Sequence, residues 1–217
     1  MRWALDNLGL LGQLTIAHAR LAIVPVAVAL LLALPLGALA HRVPPLRGTL
    51  LGLAGLLYTI PSLALFVLLP PMLGIPYLSD LNVIIALTLY ALALLVRTVT
   101  EALESVPPDA VASARAIGYN GTSIFLAVQL PLAGPVLLAG LRVATVSTVS
   151  MVTVGALIGV SSLGSLFTDG LQRRIVPEVL TGVVLTALLA LLLDVLLQLA
   201  GRVLMPWLRA ERAVATA

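Results

Sequence analysis

The sequence predicts an all-α polytopic membrane protein of about five transmembrane helices, and three features of it lead there. Hydrophobic residues make up 61% of the 217 residues, while charged residues make up only 10%. The mean hydropathy is +1.16. Apolar runs of about 20 residues, the length that crosses a bilayer, recur along the chain. A water-soluble domain needs about a quarter of its residues charged to cover its surface, so the main solvent of this chain is lipid.

Each element follows in order. The first span is predicted at 21–40, free of charge throughout. The second lies inside the uncharged stretch 48–79 and is placed at 49–69. The third, 81–100, contains Arg97; the fourth, 132–160, contains Arg142; the fifth, 179–201, contains Asp194. The connection 41–47 is basic, carrying Arg42 and Arg47, whereas 74–80 has no positive charge. Arg202, Arg209 and Arg212 follow the last span. The positive-inside bias therefore puts 41–47, the long segment 101–130 and the tail in the cytoplasm, with the amino terminus and 161–178 outside. Arg173 and Arg174 count against that orientation. Ala38-Leu39-Ala40 mimics a signal-peptidase site, but the run before it is long enough to span and starts late, so no cleavage is expected. The domain reading is a lead-in over 1–20, one transmembrane domain over 21–205 with a cytoplasmic segment at 101–131, and a cytoplasmic tail over 206–217. No internal repeat or linker is evident.

Composition excludes several functions. All twelve basic residues are arginine and the net charge is +3, but the arginines are scattered, so no nucleic-acid surface is expected. Cysteine is absent, which removes disulfides, thiol nucleophiles and Cys-ligated zinc. His18 and His41 are too far apart in sequence to suggest a metal site. An embedded enzyme needs a convergent nucleophile, base or metal set, and nothing here supplies one. No Gly-rich Lys-Ser/Thr phosphate loop is present either, so no ATP site is expected in this chain.

The segment between spans three and four is the most informative. Residues 101–118 read Glu-Ala-Leu-Glu-Ser-Val-Pro-Pro-Asp-Ala-Val-Ala-Ser-Ala-Arg-Ala-Ile-Gly, and 128–131 read Val-Gln-Leu-Pro. Pro108 and Asp109 suit a helix start, because proline fits the first turn and the carboxylate faces the positive end of the dipole. Ala110, Ala112, Ser113, Ala114 and Ala116 then form a short helix of small side chains, ended by Gly118. Such a helix can approach a partner's cleft closely. Taken alone, it is equally compatible with an ordinary interfacial helix joining two spans.

The spacing resembles the EAA loop of ABC importer permeases: Glu-Ala-Ala, three residues, Gly, nine residues, an aliphatic, one residue, Leu-Pro. Here those positions are Ala112-Ser113-Ala114, Gly118, Val128 and Leu130-Pro131, and alanine stands where the family usually has glutamate. Further likeness over roughly 15–205 points to the osmoprotectant type. It includes Thr-Ile-Pro-Ser-Leu-Ala-Leu-Phe at 59–66, Pro-Met-Leu-Gly at 71–74, Leu-Tyr-Ala-Leu-Ala-Leu-Leu-Val-Arg-Thr at 89–98, the stretch from Leu130 to Arg142, and Leu163-Gly164. The resemblance implies a type I importer permease fold like that of the methionine importers. It also implies a coupling helix that docks on a separate ATPase, through Asp109, Ala112, Ser113, Ala114, Arg115, Gly118, Leu130 and Pro131. Implied solutes are glycine betaine, choline, carnitine or proline betaine; methionine-type and other amino-acid importer permeases are the nearest rivals. Implied partners are ATPase subunits that hold ATP and magnesium, a second permease subunit (identical or paralogous), and an extracytoplasmic binding protein. The implied location is the bacterial cytoplasmic membrane.

Candidate residues for the translocation path are Tyr58, Pro61, Ser62, Ser147, Thr148 and Ser150. Against that, hydroxyls in a span often bond to their own helix or pack between helices, as Thr145 and Thr153 would also do. Gly155 and Gly159 have the spacing that lets helices pack closely. Arg142 and Asp194 lie roughly 10–15 Å from the cytoplasmic ends of their spans, where an unpaired ion is costly. They are expected to face the protein interior and to pair. Aromatics are only 4% and the four tyrosines are dispersed, so no tight cation–π cage is expected in this chain. A secondary transporter would instead show inverted repeats, which are not seen.

Overall fold

The computed structural model describes residues 2–207, and these are mainly helical, with no strand among them. A short α1 (Arg2–Asp6) leads into α2 (Leu8–Arg42), and α3 (Pro44–Thr59) and α4 (Ser62–Leu73) follow. Next come α5 (Asp80–Glu104), α6 (Pro108–Ala116) and α7 (Gly121–Ile124). A π-helical turn, Phe125–Gln129, joins α7 to α8 (Leu130–Val152), which tightens into a 3-10 turn over Thr153–Ile158. α9 (Ser165–Gln172) and α10 (Val176–Leu204) complete the described chain. Residues 208–217 of the expected tail, with Arg209 and Arg212, lie outside the described residues.

Four of these rods are long and apolar enough to cross a bilayer, and a bent pair makes up to five. Three differ from expectation. The first span is longer, running back to Leu8 through most of the expected lead-in. The fourth loses its regular helix at Val152 and ends at Gly159, whose φ of +83° suits glycine. The second is not one helix: α3 and α4 meet at an angle of 104°. Ile60 precedes Pro61, and the proline ring pushes its neighbour out of the helical region. Ile60 accordingly sits at φ −66°, ψ 129°.

α5 is the axis of the bundle. α2, α3, α4 and α8 pack around it, and α10 lies against α8 and α9. In lipid no hydrophobic effect drives helices together, so close packing must. α2 meets this need with a buried stripe of mostly small residues, Ala22, Val26, Ala29, Ala33, Gly37 and Ala40, repeating every three or four positions. Gly37 lies so close to Val99 of α5 that an added Cβ would meet the valine's Cβ at 2.5 Å. One buried cluster joins α2, α4, α5 and the end of α8 around Phe66 and Leu87; another joins α2, α5 and α8 around Leu95 and Val99. α10 buries only Glu178, Gly182, Leu189 and Gly201, leaving most of its leucines and valines turned outward, as suits a helix solvated by hydrocarbon.

Candidate functional site

The candidate coupling segment begins where α5 ends. Val106 is buried and Pro107 and Pro108 open α6, with Asp109 in its first turn. Among the α6 residues only Ala114 is buried; Asp109, Ala112, Ser113 and Arg115 are exposed. Gly118 stops the helix at φ +94°, and Ile117 and Tyr119 beside it stand out, 76% and 44% exposed. Asn120 then caps α7, its side chain accepting from the Ser123 N–H at 2.8 Å. From there α7, the π turn and α8 form one continuous rod. The π turn precedes Pro131, whose ring would clash with the carbonyl four residues back in a regular helix. Leu130 and Pro131 are half-buried at the foot of this rod. The Arg42 guanidinium lies 5.3 Å from the centre of the Phe125 ring, tying the basic connection after α2 to the same place. A small exposed helix is thus rooted at both ends in the two central spans.

Arg142 and Asp194 meet across α8 and α10. Arg142 Nε donates to Oδ1 at 2.6 Å and Nη2 to Oδ2 at 2.8 Å, and Gln198 adds a third donor at 2.9 Å. This two-point geometry satisfies both carboxylate oxygens inside a span. Arg173, which opposed the orientation, donates to the buried Glu178 at 2.6 Å, so it has a local partner.

The candidate path residues do not share one surface. Tyr58 and Pro61 are exposed and Ser62 is half-buried, all at the break between α3 and α4. Ser150 is exposed on α8 and Ser147 half-buried, whereas Thr148 is 3% exposed and points into the bundle. Thr148 and Ser150 both donate back to their own helix, at 2.7 Å to Ala144 and 3.3 Å to Val146. Below the break, α3 and α5 enclose a groove of about 300 Å³ lined by Tyr58, Arg97, Thr98 and Glu101 among smaller side chains.

Three buried polar side chains went unrecognised in the sequence, and each serves a break in a helix. Asn82 Nδ2 donates to the Phe66 carbonyl at 2.9 Å and to Tyr77 at 3.2 Å. Phe66 would ordinarily receive the N–H of residue 70, which is proline. The Tyr90 hydroxyl donates to the Ile60 carbonyl at the α3–α4 break. His18 Nε2 lies 3.0 Å from the Val149 carbonyl, which the N–H of Thr153 leaves when it turns to Ser150 and Met151. The signals were the Pro70-Pro71 pair and a lone Asn at the start of a span. Tyrosines distant in sequence also meet: Tyr58 and Tyr90 stand edge to face at 5.9 Å.

Comparison with known proteins agrees with this architecture. The family model described as binding-protein-dependent transport system inner membrane component matches residues 22–210. The osmoprotectant import permease protein OsmW of Salmonella typhimurium is 35% identical over 95% of this chain and 97% of its own length. The choline transport system permease protein OpuBB of Bacillus subtilis is 30% identical over 92% and 91%. Among solved structures, an inward-facing form of the MetNI methionine ABC transporter superposes with a TM-score of 0.79 at 23% identity, covering 92% of this chain and 96% of that one. That likeness shows the fold.

Proposed function

This chain belongs to the family of binding-protein-dependent transport system inner membrane components, and on that premise we propose that it is the membrane half-pore of an osmoprotectant importer. It is a permease subunit of an ABC importer. The proposed solute is a small compatible solute: glycine betaine, choline, carnitine or proline betaine. Relatives named for osmoprotectant and choline transport support that class. The proposed assembly holds two permease subunits, two ATPase subunits that bind ATP and magnesium, and an extracytoplasmic binding protein, all at the bacterial cytoplasmic membrane.

The observation that carries this reading is the exposed small-residue helix α6, rooted in α5 on one side and in the α7–α8 rod on the other. When the ATPases close, they draw the two α6 helices together. Each α6 then moves α8 as a lever, because Gly118 and Asn120 leave only a short turn between them. The cavity between the permeases opens outward to receive solute, and hydrolysis returns it inward. Alanine at position 112 leaves one docking contact to other groups, of which Asp109 is the nearest exposed carboxylate on α6.

Purification in mild detergent from the native membrane, with mass spectrometry of what remains bound, tests the proposal. An ATPase subunit should accompany the chain and be lost when residues 109–118 are scrambled. A chain that emerges alone even after crosslinking would sink it.

A further inference from the structure

The α3–α5 groove holds two charges that no strong contact satisfies, Arg97 within a span and Glu101 at its inner end. Arg97 Nε and Glu101 Oε1 are 3.9 Å apart, with side chains 66% and 59% exposed. Arg142 and Asp194, by contrast, occupy each other's hydrogen-bonding groups at 2.6 and 2.8 Å. Arg97 lies about 10 Å along the helix from the inner end of α5 at Glu104, where a charge needs water, a partner or a ligand. Opposite stands Tyr58, 42% exposed, its ring braced edge to face by Tyr90, and Tyr90 itself is anchored to the Ile60 carbonyl. Ala54, Gly55 and Ala93, with Leu51 and Leu94, form most of the remaining wall. At about 300 Å³ the groove sits at the lower end of the ligand-pocket range of ~300–1,000 Å³, suited to a small solute.

We propose that this groove is a transit site for a compact zwitterion. The Arg97 guanidinium takes the carboxylate, the Glu101 carboxylate one turn further along α5 faces the quaternary ammonium, and the Tyr58 ring walls the groove on the other side of Arg97. The inference rests on the importer reading and adds a binding station to it. The loose Arg97–Glu101 contact is the useful feature: a solute carrying both charges can insert between them and leave again, since neither partner is held rigidly. A cation without a carboxylate, such as choline, would use only the Glu101 end.

The absence of cysteine from the chain supplies the test. Ala54→Cys is made in the full chain, the assembled importer is placed in membrane vesicles with the cytoplasmic side accessible, and a charged, water-borne thiol reagent is added. Modification is expected to proceed, and ~100 mM glycine betaine to slow it about threefold or more, as mass action requires of a site with Kd in the tens of millimolar. Adding Arg97→Gln should abolish protection by glycine betaine and spare protection by choline. Adding Glu101→Gln should abolish protection by choline. Co-purification of the ATPase confirms that each variant assembles. Equal protection with and without Arg97, or none by either solute, overturns the site while leaving the importer reading intact. An Ala54→Cys thiol that the reagent never reaches would mean the groove faces lipid, which also overturns it.

Discussion

At Asn82 one side chain replaces a backbone group that a proline removed. The Phe66 carbonyl has no N–H from Pro70, and in a fully buried position it would otherwise stay unsatisfied. Asn82→Leu should therefore cost about 1–3 kcal/mol, seen as a lower midpoint of thermal unfolding in detergent. An unchanged midpoint would mean that another donor reaches Phe66. His18 and Tyr90 follow the same logic at the other two breaks, which explains why a span interior tolerates these polar groups. None of the three could be assigned from sequence spacing, since the partner carbonyls lie 16, 131 and 30 positions away.

At the scale of elements, α6 was legible and α3–α4 was not. Pro108, Asp109, the alanines and Gly118 are local signals, and they place a helix over 108–116 with little help from the rest of the chain. Gly118 is the stop that sets the angle between α6 and the rod behind it, and its φ of +94° is strained for any other residue. Gly118→Val should cost about 1–2 kcal/mol locally. In a reconstituted importer it should lower binding-protein-stimulated ATP hydrolysis while the ATPase remains bound. Full stimulation in that variant would remove the turn from the coupling route. The bend of α3–α4, in contrast, depends on what receives it. Pro61 makes a break possible, but the packing of α4 on α5 and the Tyr90 hydrogen bond hold it at 104°. A proline in a span is also compatible with a continuous helix: α2 continues through Pro25 and Pro35 without a break.

The whole molecule presents a face that a single chain leaves open. None of the residues of α3 is buried, and α8 exposes Leu132, Val136, Ala139, Val143, Val146 and Ser150 at alternating intervals of four and three. Such a stripe fits the shallow crossing of two packed helices. The second permease of the proposed assembly is expected to meet it. Val143→Cys, introduced into the cysteine-free chain, should form a disulfide-linked permease pair in oxidised membranes, whereas a cysteine at Leu192, on the outer side of α10, should not. Equal crosslinking at both would place the subunit contact elsewhere.

The sequence by itself determined the membrane setting, the approximate spans, the short helix that opens at Pro108 and stops at Gly118, and the family, because these rest on composition and on short-range spacing. Hydropathy averaged over 20 residues needs no knowledge of neighbours, and neither do a proline start and a glycine stop. The meeting of Arg142 with Asp194 followed from the same reasoning, since a charge in a span demands a partner and few were available. Only the tertiary structure decided which hydroxyls face inward, how sharply α3 turns into α4, and that Tyr58, Arg97 and Glu101 share one groove. The physical reason is the absence of a water-driven pattern: in lipid both faces of a helix are apolar, so periodicity no longer distinguishes the packed face from the exposed one.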